Sequence, residues 1–268
     1  MKRWMLTVAA LPLVTCLLVA APAKDEQSEA EAILDNAIKA VGGPDKLTKL
    51  TSFVVKLNRK PTARPGVGGV ETTLEVSYEY PDRKRSETTR DIGGTKTISL
   101  QVVNGDKAWL SSRGAVRELN AEQVKQLRSN LFAEFPVRQL PLYKSKGYKL
   151  TMLGESKVDE KKVVGIKVTA EGKADQKLYF DKETGLLLKQ EYELPRFTPS
   201  RAGVPGGADA PNPSITVEVF YEDYMESGGI RYPTKTRRIQ GGRTTIEDEI
   251  AEFKVVDKFD EKTFAKPE

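Results

Sequence analysis

Two runs of acids form the densest reactive clusters in the sequence: Glu222-Asp223 with Glu226, and Glu247-Asp248-Glu249. Carboxylates that converge on one site can share acid and base work or hold calcium. Neighbouring residues of a strand point to opposite faces, however, so neither run is a ready-made dyad, and both suit a solvated strand or turn. The chain has no histidine, and its single cysteine is Cys16. The usual general base, the usual transition-metal ligands and the thiol nucleophile are therefore missing together. No G-x-S-x-G, phosphate-binding glycine loop or EF-hand spacing occurs. The expectation is no catalytic residue, no metal ligand and no cofactor.

Cations and aromatic rings are the remaining candidates. Arg83-Lys84-Arg85 and Lys235, Arg237 and Arg238 could touch anionic lipid head groups, as a peripheral membrane contact, or an acidic partner. Glu87 and Asp91 follow the first set, so a wetted strand face is the simpler reading. Leu74, Val76, Tyr78 and Tyr80 alternate with Thr73, Glu75, Ser77 and Glu79, the pattern of a strand that buries one side. These four, with Trp109, Leu131, Phe132, Val217, Val219 and Tyr221, are the candidate lining of an apolar cavity. The alternative for each of them is ordinary core.

The elements that must position these residues follow from periodicity. Ala30, Ile33, Leu34, Ala37, Ile38 and Val41 fall on one stripe of a helix, with Ser28 and Glu31 expected as its capping box and Gly42-Gly43 as its stop. A short helical turn is expected over 44–50. From Thr51 to about Leu119 the period is two, with turns at Pro81-Asp82 and Asn104-Gly105-Asp106. Asn120 and Gln123 predict a second capped helix through Val124, Leu127, Leu131 and Phe132. Alternation then returns in Tyr148–Leu153, Val164–Ala170, Lys177–Phe180 and Leu186–Leu194. The stretch 195–213 carries five prolines among its nineteen residues and reads as a flexible proline- and glycine-rich loop. Three further strands follow, with Gly228-Gly229 and Gly241-Gly242 at their turns. The sum is ten or eleven strands and two principal helices: a mainly β, α+β chain whose curved antiparallel sheet is covered by the two helices.

The amino end sets the compartment. Lys2 and Arg3 precede an apolar run from Trp4 to Ala21, and Ala21-Pro22-Ala23 follows, the three parts of a signal peptide with cleavage expected after Ala23. An uncleaved anchor, or acylation of Cys16 behind Leu13-Val14-Thr15, are the alternatives. Residues 24–268 are then expected as a single exported domain, periplasmic or otherwise extracytoplasmic, without thiols. Removing Lys2 and Arg3 from the 43 basic residues leaves a surplus of 3 over the 38 acidic ones, too balanced for a nucleic-acid partner.

Several segments carry a family resemblance. They are Ala32-Ile33-Leu34 through Ala40-Val41-Gly42-Gly43, Leu178-Tyr179-Phe180-Asp181 with Thr184-Gly185-Leu186-Leu187, Tyr221-Glu222-Asp223-Tyr224 with Gly229-Ile230-Arg231-Tyr232-Pro233, and Phe259-Asp260-Glu261-Lys262-Thr263-Phe264. On these the chain resembles the outer-membrane lipoprotein-sorting (LolA/LolB-like) superfamily of bacterial exported proteins. The resemblance implies a half-open antiparallel barrel whose apolar interior holds acyl chains of lipids or lipoproteins without a cofactor. The chain departs from the periplasmic carrier in its length and in the 195–213 insertion, and no ligand-contacting residue of the carrier maps onto a numbered position. Three functions stay open: a lipid or lipoprotein binder, a sensor or scaffold that binds envelope proteins through edge strands or the proline-rich loop, and carboxylate catalysis.

Overall fold

A computed structural model of the chain describes residues 26–61, 70, 72–195 and 214–268. The expected signal peptide, Cys16 and residues 196–213 of the proline-rich loop lie outside the described residues. The chain opens with α1 (Glu26–Ala40) and α2 (Pro44–Lys49) and then lays down β1 (Ser52–Pro61), β2 (Thr72–Glu79), β3 (Arg83–Ile92), β4 (Thr95–Asn104), β5 (Lys107–Ser112) and β6 (Ala115–Glu118). Helices α3 (Ala121–Glu134) and α4 (Pro136–Gln139) and a 3-10 turn, Leu140–Lys144, interrupt the strands. Then come β7 (Tyr148–Val158), β8 (Lys161–Ala170), β9 (Gln176–Asp181), β10 (Leu187–Pro195), β11 (Ser214–Ser227), β12 (Ile230–Gln240) and β13 (Arg243–Val255).

Among the described residues thirteen strands join one antiparallel sheet in the order β6-β5-β4-β3-β2-β1-β13-β12-β11-β10-β9-β8-β7. Two meanders, β1–β6 and β7–β13, are thus stitched together where the last strand returns to pair with the first, Phe53 opposite Val255 and Pro61 opposite Ile246. The sheet does not close: β6 and β7 are its two ends. The fold class expected from periodicity holds, with more strands than the ten or eleven foreseen and with two short covering pieces beside α1 and α3.

Local chemistry explains the helices. Asn120 caps α3 as expected: its Oδ1 accepts from the Gln123 N–H at 2.9 Å, while Gln123 Oε1 accepts from the Asn120 N–H. The capping box expected at Ser28 is not formed. The helix is already under way at Glu26, and Glu31 instead accepts a hydrogen bond from the Gln27 side chain. Gln27 Oε1 in turn accepts from Leu150 N–H, which gives a backbone donor of end strand β7 a partner. Gly42 has φ 121°, and a Cβ there would lie 2.3 Å from the Gly229 carbonyl oxygen, so only glycine lets the α1–α2 corner dock on the β11–β12 turn. That docking is closed by the Arg231 N–H bonding to the Val41 carbonyl.

The stripe on α1 does bury: Ala30, Leu34, Ala37, Ile38 and Val41 join Leu140 and Tyr143 of the 3-10 turn against Leu150, Ile166, Leu178 and Phe180. A smaller cluster of Val102, Trp109 and Phe264 packs separately, with Phe264 delivered by a final 3-10 turn, Glu261–Phe264. Among the described residues, no helix is long and apolar enough to cross a membrane.

Candidate functional site

Between the concave face of the sheet and the α3–α4 segment lies an open cavity of about 480 Å³. One wall is apolar: Val55 and Leu57 of β1, Leu74 and Val76 of β2, Ile250 of β13 and Val219 of β11, with Phe135 and Val137 above. Farther along the sheet the lining carries uncharged polar groups, Ser86 and Thr88 of β3, Ser99 and Gln101 of β4 and Ser112 of β5, together with Leu100 and Leu110. Register produces this contrast. Val76 stands opposite Ser86 and Ser86 opposite Gln101, so one cross-strand row passes from apolar to polar over β3 and β4 before Leu110 of β5 follows it.

The cover is tethered by charge. Glu134, the last residue of α3, takes two hydrogen bonds from Lys84 Nζ, at 2.7 and 2.6 Å, and one from the Tyr78 hydroxyl at 2.9 Å. Burial pushes the Glu134 carboxyl up, but the Lys84 ammonium, the Tyr78 hydroxyl and the Arg238 charge outweigh it and hold the group below the ordinary value. The Tyr78 phenol is pushed well up, by burial first and by the Glu134 charge second. A second pair crosses the floor, where the Arg59 fork meets both Asp248 oxygens at 2.7 and 2.8 Å.

A hydrogen-bonded partition separates the cavity from the packed interior. Tyr221 Oη donates to Gln190 Oε1 at 2.6 Å, Gln190 Nε2 donates to Gln176 Oε1 at 2.7 Å, and Tyr143 Oη donates to the same oxygen at 3.0 Å. Burial raises the phenols of Tyr143 and Tyr221, so both stay neutral donors. Tyr221 faces the cavity and Tyr143 belongs to the packed side.

The candidate lining residues divide. Leu74, Val76, Tyr78, Val219 and Tyr221 meet at the cavity. Tyr80 faces a second, more polar hollow beside α3, with the Arg138 guanidinium 4.3 Å over its ring. Leu131 and Val217 are core, and Trp109 packs on Val102 and Phe264, its indole N–H on Glu118. The side chain of Phe132 lies outside the described residues. The acidic runs do not converge: Asp248 faces the cavity with Arg59, while the exposed Glu222 and Asp223 pair with Arg237 and Lys235. Among the described residues, no group of three or more metal-ligating side chains comes together.

The wetted-face reading of the cations needs correction at two positions. Lys84 is 8% exposed and held by Glu134, and Arg238 lines the cavity. Sequence reasoning also missed Arg59, Glu134, Ser86 and Gln101. The signal for the β3 residues was register: Lys84, Ser86 and Thr88 share the face of Tyr78, Val76 and Leu74 across the ladder.

No protein-family model matches the sequence, and no curated protein matches it. Solved structures do. A LolA superfamily protein from Nitrosomonas europaea superposes with a TM-score of 0.55 at 14% identity, covering 88% of this chain and 97% of that one. A putative outer membrane lipoprotein-sorting protein domain from Vibrio parahaemolyticus gives 0.55 at 12% identity, covering 90% and 97%. A DUF1329 family protein from Desulfovibrio piger gives 0.51 at 14%, covering 88% and 97%. With its open, curved antiparallel sheet and helical cover, the chain has the LolA-like fold that its sequence segments resemble.

Proposed function

We propose that this chain is an exported, periplasmic binding protein of one domain over 24–268 that holds acyl chains of lipids or lipoproteins rather than catalysing a reaction. The observation that carries the reading is the hollow on the concave face. Its volume of about 480 Å³ falls within the roughly 300–1,000 Å³ of small-molecule clefts. One wall is formed by aliphatic side chains, of which Leu57 and Ile250 stay half-buried at the hollow while Val55, Leu74, Val76 and Val219 are buried behind them. Each methylene moved from water onto that wall contributes about 0.8 kcal/mol, so a long chain gains affinity without any special chemistry. A filled interior would instead have favoured a scaffold acting through its edges.

The test starts with protein purified from its native envelope. Solvent extraction is expected to release lipid, and the stripped protein is expected to take up a fluorescent acyl probe saturably. Finding neither would overturn the proposal. Leu57 is half-buried on the apolar wall, so Leu57→Glu places a charge against the guest without opening the core. It is expected to weaken probe binding by about tenfold or more, the cost of desolvating a carboxylate, while the melting temperature stays near that of the parent.

A further inference from the structure

The cavity contains three cationic side chains, Arg59, Lys84 and Arg238, but two carboxylates, Glu134 and Asp248. Four of these charges cancel in pairs, Arg59 with Asp248 and Lys84 with Glu134. Arg238 is left over. It is half-buried on β12 between Val219 of β11 and Ile246 of β13. Among the described residues its guanidinium makes no hydrogen bond or ion pair; only its backbone carbonyl is engaged, by the Thr245 hydroxyl. The five donors of an arginine fork match a carboxylate or a phosphate, and the half-buried Arg238, which acts on Glu134 through space but shares no hydrogen bond with it, keeps those donors for a ligand.

We infer that Arg238 recognises the anionic group of an amphiphile whose acyl chain lies on the apolar wall, which narrows the guest to acyl anions carrying a carboxylate or a phosphate. The inference rests on the acyl-binding reading of the cavity. Three features converge on it. The site carries one net positive charge. Its apolar wall and Arg238 share one open space, with Val219 directly opposite Arg238 in the ladder. The uncharged groups Ser86, Thr88, Ser99 and Gln101 offer further hydrogen bonds to a head group without adding a competing charge. The two neighbouring phenols, Tyr192 and Tyr221, are kept protonated by burial and add no negative charge beside the guanidinium.

Calorimetric titration of the delipidated protein with laurate, dodecyl phosphate and the neutral dodecanol tests this. At least one anion is expected to bind about tenfold or more tightly than dodecanol, the scale of a charge-assisted hydrogen bond, and the tighter anion identifies the head group. Arg238→Gln is expected to abolish the preference and Arg238→Lys to keep most of it. Arg238 makes no side-chain hydrogen bond and touches Glu134 only through its charge, so the Gln variant should melt within a few degrees of the parent, which shows that a lost preference is not lost folding. Equal binding of anions and alcohol by the parent would overturn the role of the charge while leaving the acyl cavity intact. An anion preference that survives Arg238→Gln would overturn the assignment to this residue. No binding of any of the three would overturn the acyl reading itself.

Discussion

One continuous ladder runs through two regions that bury their concave faces differently. Over β7 to β9 the inward positions include Leu150, Ile166, Val168, Leu178 and Phe180, and α1 lays Leu34, Ala37 and Ile38 against them with Leu140 and Tyr143. Over β3 and β4 the inward positions are Lys84, Ser86 and Thr88, then Ser99 and Gln101, with Val103 joining the core opposite Lys84. Above that half, α3 contributes Val124 and Leu131 as buried apolar side chains. Apolar side chains fill space against each other, whereas hydroxyl and amide groups need partners or water, so the first half packs and the second stays open. The difference teaches that the hollow is written into the strands themselves and is not merely a short helix failing to reach.

The comparison predicts unequal costs for like substitutions. Leu34 of α1 is fully buried in the packed half, so Leu34→Ala removes its contacts and leaves a void that close-packed neighbours cannot collapse into. The expected loss is about 2–5 kcal/mol of unfolding free energy by urea titration. A loss below about 1 kcal/mol would mean that the packed half has slack of its own, and the contrast with the hollow half would fail.

The halves also differ in what fastens them. Tyr143, Gln176, Gln190 and Tyr221 hold the packed side through neutral hydrogen bonds, while Lys84 and Glu134 hold the cover of the hollow side by charge. Since the Glu134 carboxyl lies below its ordinary value of 4.5 in the folded protein, its contribution is complete above that pH. It fades as the pH falls from there through the folded value, where the proton breaks the pair. Hydrogen exchange of α3 should therefore rise on acidification below about pH 4.5 before that of α1 does. Glu134→Gln should remove that pH dependence and cost about 1–3 kcal/mol at neutral pH, because Lys84 is left buried without its counter-charge. Equal loosening of both helices would locate the acid sensitivity elsewhere.

The legible part of the molecule was the part governed by apolar periodicity. The stripe on α1, the β2 alternation and the Asn120 cap each state their structure in adjacent residues, and all three are present. The open site was harder to see because its polar half looks like a solvent face. Arg83-Lys84-Arg85 alternates across the strand, so Lys84 turns inward while its neighbours pair with Glu79 and Glu87 at the surface. Nothing local distinguishes the inward member of such a run. Its direction is fixed by the register with Tyr78, which becomes available only once the β2–β3 hairpin is closed. Arg238 poses the same problem, since it follows Arg237 directly in β12 and which of the two turns inward depends on the β11 and β13 pairings. Trp109 errs the other way: its hydrophobicity suggested the cavity, but β5 turns it toward Val102 and Phe264, supplied by the chain end.

The smallest expected effect sharpens the comparison most. Leu57 of β1 lies on the apolar wall, opposite Leu74 on one side and Ile250 on the other, and is already half-exposed to the hollow. Leu57→Ala therefore enlarges a space that exists and creates no new one, so the void contribution that dominates at Leu34 is absent. Only the partly buried methyl groups are lost, at about 1 kcal/mol or less. The same change removes surface that an acyl chain would cover, so a fluorescent acyl probe should dissociate a few-fold more readily while the urea midpoint barely moves. A large stability loss at Leu57 would show that the wall is packed in solution, and the boundary between the two halves would have to be drawn elsewhere.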